Sequence, residues 1–295
     1  MRYGAIDIGT NAARLLVGEV CIENGHTFVK KISYTRIPLR LGLEVFDDGE
    51  ISKQKTKDFV KTIQAFRLIS EIFQVKKLRA CATSAMRDAK NGKEVQNKIE
   101  EETGVKVEII NGEEEADLIF GTFFLMDIEK EIPFIVIDVG GGSTEISVFE
   151  DGHKIASKSF DIGTIRMLKG KVTTSIWDDI AAWLTQNVKT DVVHRIYGTG
   201  GNINKIHKIS GCKDNKALSL NDLVTLHDEF IQFSPEDRVE RFQLKPDRAD
   251  VIVPAAEIYI FLLNFLKVTE ISVPKIGLTD GIVYDLYLES QKEKK

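Results

Sequence analysis

The chain has 295 residues, 43% of them hydrophobic, and a formal net charge of −5. Its apolar content can fill one large core or two ordinary ones, and the acidic balance excludes a general nucleic-acid binder. Any polyanionic ligand has to be met locally, by a few arginines, main-chain amides or a divalent metal.

The N-terminal stretch MRYGAIDIGT carries an acid within its apolar residues and lacks a signal-peptide cleavage pattern. Residues Ala5–Val20 predict two strands joined by a turn at Gly9-Thr10-Asn11. Lys77–Thr83 predicts a strand, followed by a polar helix from Ser84 to about Thr103, broken at Asn91-Gly92. VKVEII (Val105–Ile110) alternates like a strand. Glu113–Met126 has Ala116, Ile119, Phe120, Phe123 and Phe124 at the spacing of one helix face.

In the second half, FIVIDVGGGSTEISVFEDG (Phe134–Gly152) predicts a hairpin: an apolar strand ending in Asp, a glycine turn, then a second β-rich strand. RIYGTGGNINKI predicts strand, glycine turn and helix. The run Val251–Leu266 contains Pro254, Glu257 and Asn264 and is shorter than the roughly 20 residues a membrane span needs, so it predicts a buried helix. EISVPKIGLTDGIVYDLYLES predicts a strand, a loop and a final helix, and the closing QKEKK a solvated tail. Strands alternating with helices define an α/β protein. Cys21, Cys81 and Cys212 are odd in number and widely spaced, which suggests neither a disulfide framework nor a zinc site. The expectation is a cytoplasmic protein with no membrane or nucleic-acid partner.

An internal repeat organises the chain. AIDIGTNAARLLVGEV and VIDVGGGSTEISVFED share one grammar: β-formers, Asp, an apolar residue, Gly, small residues, β-formers again. Asp7 falls on Asp138 and Gly9 on Gly140, an offset of 131 residues. Each half therefore begins with the same Asp-ended hairpin, and a ligand between the halves would meet both turns. Gly9, Thr10, Asn11 and Gly140, Gly141, Gly142, Ser143 leave main-chain N–H groups unobstructed, a concave anion site. A lone glycine turn would be read as a turn and nothing more; the repeat favours phosphate. GxxxxGK[ST] is absent, GTGGNI lacks the third glycine of GxGxxG, and no helix is expected after VGGGST, so this is neither a P-loop nor a dinucleotide fingerprint.

Other residues carry two readings each. Asp138 and Glu145, at opposite ends of one turn, either grip a magnesium ion or serve as a turn cap and a solvated strand residue. In INGEEEADLIF, Asn111 and Glu114 can form a capping box, and acids suit a first helical turn, so the residues alone favour structure over catalysis for Glu113, Glu114 and Glu115. Arg87, near Thr83 and Ser84 at a strand-to-helix junction, forks onto phosphate or pairs with Asp88; Arg14 and Arg166 pose the same choice. The histidines show no metal spacing.

Together DIGTNAARLLV, ATSAMRDAKNG, INGEEEADLIF, VIDVGGGSTEISV, DIGTIRML and YGTGGNINKI, in that order, resemble the exopolyphosphatase / guanosine pentaphosphate phosphohydrolase (Ppx/GppA) phosphatases over residues 3 to about 285. The resemblance implies two RNase H-like α/β domains of the actin-like, sugar-kinase-like (ASKHA) fold around a central cleft. The first domain is expected over 1–115 plus 279–295 and the second over 116–278, with no extra C-terminal helical domain. It also implies Mg²⁺-dependent hydrolysis of a terminal phosphoanhydride.

By motif position, the resemblance makes Glu115 the catalytic base and Asp138 and Glu145 the metal residues. It makes Asp7, Gly9, Thr10, Asn11, Arg14, Ser84, Arg87, Gly140, Gly141, Gly142, Ser143, Arg166, Gly200 and Gly201 phosphate-binding. The expected substrate is inorganic polyphosphate, with guanosine pentaphosphate the alternative, and homodimerisation is implied by family only.

Three positions depart from the family: Ala12 where serine is common, Asn202 for a frequent threonine, and GLTDG (Gly277–Gly281) for GLREG. The chain also ends where longer members continue, which weighs against processive action on long chains. Two readings from other classes compete: a non-catalytic polyphosphate or alarmone sensor, opposed by the presence of Glu115, Asp138 and Glu145, and an ATP-dependent actin-like kinase, for which no sugar-binding signature is seen.

Overall fold

The β-rich N-terminal run forms Arg2–Ile8 (β1), buried from Tyr3 onward. β1 pairs antiparallel with Ala13–Glu23 (β2), which pairs with His26–Ile37 (β3). Leu41–Asp48 (α1) and Lys53–Ile72 (α2) follow. α2 starts where the Ser52 side chain accepts from Lys55 N at 3.1 Å, and it buries Phe59, Ile63 and Phe66, the spacing of one helix face. Lys77–Ala82 (β4) lies parallel to β1. The expected broken helix is two helices, Ser84–Asp88 (α3) and Gly92–Thr103 (α4), and Val107–Ile109 (β5) closes the sheet in the order β3-β2-β1-β4-β5. Gly92 is required at the break, since a Cβ there would lie 2.3 Å from Met86 O. Gly112–Phe123 (α5) completes this part; Phe124, expected on its apolar face, lies outside the described residues. The computed structural model describes residues 1–23, 25–123, 125–126, 131–189, 192–214 and 216–293.

The second half repeats the opening. Phe134–Val139 (β6), Thr144–Glu150 (β7) and His153–Phe160 (β8) form an antiparallel meander, followed by Thr164–Leu168 (α6) and Ser175–Asn187 (α7). Arg195–Thr199 (β9) pairs parallel to β6, giving the order β8-β7-β6-β9. Gly201–Ile209 (α8), Leu218–Ser219 (β10), Leu220–Ile231 (α9), Pro235–Arg241 (α10), Pro246–Ala249 (α11) and Ile252–Phe265 (α12) follow. The apolar run is thus a buried helix, with Pro254 in its first turn, where a missing N–H removes no intrahelical bond. The strand expected at EISV is short, Glu270–Ile271 (β11), though Ser272 extends it as a parallel bridge to Tyr197. Ile135, Ile137, Ile146 and Val148 pack with Ile206, Ile258 and Leu262 in this unit's core.

Leu278–Lys292 (α13) returns to the first sheet and packs on β1, β2 and α5. Gly281 makes the contact with α5, where a Cβ would lie 2.0 Å from Leu118 O. The GLTDG loop is held by Asp280, which accepts from Gly277 N at 3.1 Å and pairs with Lys31 Nζ at 3.0 Å. The chain divides into two units, Met1–Ile128 with Ile276–Lys295, and Glu129–Lys275. Sequence reasoning cut the chain after Glu115; the structure keeps α5 whole in the first unit because α5 packs against α13.

Candidate active site

Both hairpin turns close with the same hydrogen bond. Gly9 N donates to Ala12 O at 3.1 Å in the first, and Gly140 N donates to Ser143 O at 3.0 Å in the second. The carbonyls of each turn are held by the helix that follows the meander. In the first unit Gly42 N donates to Thr10 O at 3.0 Å and Arg40 N to Asn11 O at 2.9 Å. In the second, Thr164 N donates to Gly140 O at 3.0 Å, Ile165 N to Gly141 O at 2.8 Å, and Arg166 Nε to Gly142 O at 2.7 Å. Holding the carbonyls on one side suits a turn that offers its N–H groups to an anion on the other. Gly163 permits this approach in the second unit, since a Cβ there would lie 2.6 Å from the backbone of Gly141 and Gly142.

The strands flanking the turns set the charges. In the first hairpin Asp7 stands opposite Arg14, and Arg14 Nη1 donates to Asp7 Oδ2 at 2.5 Å. The guanidinium reaches the turn, with Nη1 3.3 Å from where a Gly9 Cβ would sit. In the second hairpin the same register places Asp138 opposite Glu145, two carboxylates whose oxygens come within 4.8 Å of one another. Like charges directly opposite destabilise a sheet. Hard carboxylate donors so placed fit a divalent cation that also takes phosphate oxygens. Glu145 is buried, which removes its reading as a solvated strand residue; its Oε1 accepts from Ser159 Oγ at 2.8 Å. Asp138 Oδ1 accepts from Thr199 Oγ1 at 2.8 Å, at the end of β9.

Gly200 and Gly201 adjoin this carboxylate. Gly200 has φ 102, open to glycine but strained for other residues, and a Cβ there would lie 2.9 Å from Asp138 Oδ1. The second unit thus brings Asp138, Gly140–Ser143, Glu145, Gly200 and Gly201 together. Arg166 lies on the carbonyl side of its turn, with Nη2 3.5 Å from Asp161.

In the first unit, β4 runs beside β1 and Thr83 N donates to Ile8 O at 3.1 Å, which places Ser84 and α3 next to the first hairpin. Ser84 is buried, with Oγ 3.5 Å from Asp88 Oδ2. Arg87 Nη1 donates to Ile110 O at 2.9 Å, anchoring the residue before the Asn111 cap of α5. Asn111 Oδ1 accepts from Glu114 N at 2.9 Å and Glu114 Oε2 from Asn111 N at 3.0 Å, so the capping box accounts for Glu114. Glu113 is exposed and Glu115 buried.

Sequence reasoning missed Thr199, Ser159, Gly163 and Tyr259. Tyr259 OH donates to Thr199 O at 2.8 Å, and burial, then the Asp138 charge, push its phenol well above the ordinary range. A hydroxyl alone among the apolar residues of α12 was its only signal.

Two α/β units, each with a glycine hairpin suited to phosphate and one with paired carboxylates, define a phosphate-handling protein of the actin-like fold. The model of the Ppx/GppA phosphatase family matches residues 20–290, and the chain belongs to this family. It is 26% identical over 306 aligned residues to Exopolyphosphatase 1 of Mycobacterium tuberculosis, covering 96% of this chain and 87% of that one. It is 23% identical to the guanosine-5′-triphosphate,3′-diphosphate pyrophosphatase of Photobacterium profundum, covering 96% of this chain and 59% of that protein. The crystal structure of the Aquifex aeolicus Ppx/GppA family member has the same fold, with a TM-score of 0.76, 24% identity and 98% of each chain covered. Membership of this family makes the chain a phosphoanhydride hydrolase. Among the described residues no helix is long and apolar enough to cross a membrane.

Proposed function

We propose that the chain is an exopolyphosphatase that releases orthophosphate from the end of inorganic polyphosphate with a divalent cation, Mg²⁺ by preference. The observation that carries this reading is the carboxylate pair Asp138–Glu145, set directly across the strands that flank the glycine turn. The likeness to the mycobacterial exopolyphosphatase over almost the whole chain supports the choice of substrate.

Asp138 and Glu145 would hold the cation, which when bound would supply neutralisation of charge on the terminal phosphoryl oxygens. The N–H groups of Gly141–Ser143 and of Thr10 and Asn11 hold phosphoryl oxygens, while those of Gly140 and Gly9 close the turns, and Arg14, Ser84 and Arg87 add donors in the first unit. Gly200 and Gly201 bring a further turn beside Asp138. Arg166 keeps the second turn in shape through Gly142 O. Glu115, buried at the dipole-positive end of α5, orients a water and takes its proton. The water oxygen bonds to the terminal phosphorus while the bond from that phosphorus to the bridging oxygen breaks. The shortened chain leaves with the electron pair.

Orthophosphate release is measured with Mg²⁺ on short and long polyphosphate, guanosine pentaphosphate and ATP, wild type beside Glu115→Gln. Wild-type release that falls about 10²–10⁴-fold in the variant is expected. Equal release by both proteins strips Glu115 of its role, and tight binding with no release from any substrate makes the protein a sensor. The second reading, a guanosine pentaphosphate 5′-phosphohydrolase, draws on the Photobacterium relative, and a higher kcat/KM on guanosine pentaphosphate would establish it.

A further inference from the structure

The two hairpins place an acid at the same position and orient it by different means. In the first unit the row of directly paired residues reads Arg36, Arg14, Asp7, Cys81, and Asp7 accepts from the Arg14 guanidinium at 2.5 Å. In the second the equivalent row reads Ser159, Glu145, Asp138, Thr199, with a hydroxyl at each end. Ser159 Oγ donates to Glu145 Oε1 and Thr199 Oγ1 to Asp138 Oδ1, both at 2.8 Å. A hydroxyl sets the plane of a carboxylate without neutralising it, whereas a guanidinium does both. A carboxylate has about four lone-pair sites, so one such bond leaves it able to ligate a cation. These two bonds fix direction and cancel no charge.

Tyr259 holds the Thr199 end of this row from the core side. It lies in α12 and is fully buried in the second unit's hydrophobic core, where an apolar ring alone would fill the space. A buried hydroxyl is costly unless it is bonded. Tyr259 OH donates to Thr199 O at 2.8 Å, with Ile137 O at 3.3 Å, so it sits between the ends of the paired strands β6 and β9. Thr199 O belongs to the peptide that leads into Gly200. A Cβ on Gly200 would lie 2.9 Å from Asp138 Oδ1, the same oxygen that takes the Thr199 hydroxyl. The phenol therefore pins a peptide that bonds the carboxylate through one residue and abuts it through the next.

We propose that Tyr259, Thr199 and Ser159 are positioning residues for the cation at Asp138 and Glu145. Thr199 and Ser159 fix the planes of the two carboxylates, and Tyr259 fixes the peptide between Thr199 and Gly200. The assignment rests on the reading of the carboxylate pair as the cation site, and not on the identity of the phosphate chain. Its consequence is that cation affinity depends on a phenol in the core of the second unit, which reaches the carboxylate only through Thr199.

The test is Mn²⁺ binding to the full chain without substrate, read from the electron paramagnetic resonance signal of the free ion, since Mn²⁺ takes the same hard oxygen ligands as Mg²⁺. Asp138→Asn identifies the site and should abolish the binding. Thr199→Val and Ser159→Ala should each weaken Mn²⁺ about tenfold or more, the scale of losing an outer partner of a metal ligand, and Tyr259→Phe at least about threefold. Thr199→Ser returns the hydroxyl and should recover affinity to within about threefold of wild type. Melting is followed in each variant, because a residue with a structural role only lowers the melting temperature at unchanged Mn²⁺ affinity. That pattern in Thr199→Val and Tyr259→Phe overturns the positioning role and leaves the cation site standing. A Thr199→Ser variant as weak as Thr199→Val overturns it as well. If Tyr259→Phe fails to fold, Thr199→Val against Thr199→Ser decides. Mn²⁺ bound equally by wild type and Asp138→Asn, or by neither, refutes the carboxylate pair as the cation site, and the positioning role falls with it. A wild type that releases no orthophosphate, while Thr199→Val still weakens Mn²⁺, refutes the exopolyphosphatase reading alone.

Discussion

Glu113, Glu114 and Glu115 are one residue type in one helical turn, and the fold gives each a different setting. Glu114 closes the capping box with Asn111, Glu113 faces solvent and Glu115 is buried. Glu114→Gln keeps an acceptor for Asn111 N, so its kcat/KM should stay within about twofold of wild type, against the collapse expected for Glu115→Gln. Parallel assays of the two variants check this. The capping box was legible in the sequence; the burial of Glu115 was not, because three adjacent acids look alike until helix rotation separates them.

Cys81, directly opposite Asp7 in the first sheet, makes a second test at this scale. Burial pushes its thiol up from 9.0 to about 12, partly offset by the Arg79 charge. Below about pH 9 the thiol is neutral in the folded and the unfolded chain, and its contribution to stability is fully present. As pH rises, the unfolded chain ionises first, and stability is lost progressively up to about pH 12. Urea unfolding at pH 8 and pH 10 should therefore show a smaller alkaline loss for Cys81→Ala than for wild type; equal losses would count against the buried-thiol account.

At the scale of elements, the repeat seen in sequence as Asp, Gly and β-formers is a larger repeat of three strands and a helix, β1-β2-β3-α1 and β6-β7-β8-α6. The hairpins could be read because their side chains are distinctive. The helix starts that hold the turn carbonyls could not, because α1 and α6 act largely through main-chain N–H groups, which carry no residue signature. Gly163 is where this hidden contact becomes sensitive to mutation. In Gly163→Ala the new Cβ meets the backbone of Gly141 and Gly142 at 2.6 Å, so either the turn or α6 has to move. Displacement of a positioning turn by an ångström costs about 10²-fold in rate. A kcat/KM that falls to that degree in a variant that still melts cooperatively is the expected result, and unchanged kinetics would show that the turn tolerates the shift.

At the scale of the molecule, the two units differ in how the chain supplies them. The second is one continuous segment, Glu129–Lys275, whereas the first is assembled from Met1–Ile128 and Ile276–Lys295. The family resemblance placed the last helix with the first domain, and hydropathy alone did not, since a helix's own pattern does not say which sheet it covers. α13 covers β1 and β2 and meets α5 through Gly281. A fragment of residues 129–275 should fold alone and unfold in one cooperative transition. A chain ending at Lys275 should lose amide protection across β1, β2 and α5 while keeping it in β6 and β7. Hydrogen exchange reads both outcomes, and full protection of β1 in the shortened chain would refute the dependence.

This division also fixes an order of events during synthesis. Domains fold as units while the chain emerges at about 5–20 residues per second. The N-terminal segment leaves the ribosome first, yet its sheet waits uncovered for α13, whereas the later segment has all its partners once Lys275 is out. The part of the protein made second is thus the first able to finish folding, and the exposed apolar faces of β1 and β2 are those a chaperone would meet in the interval.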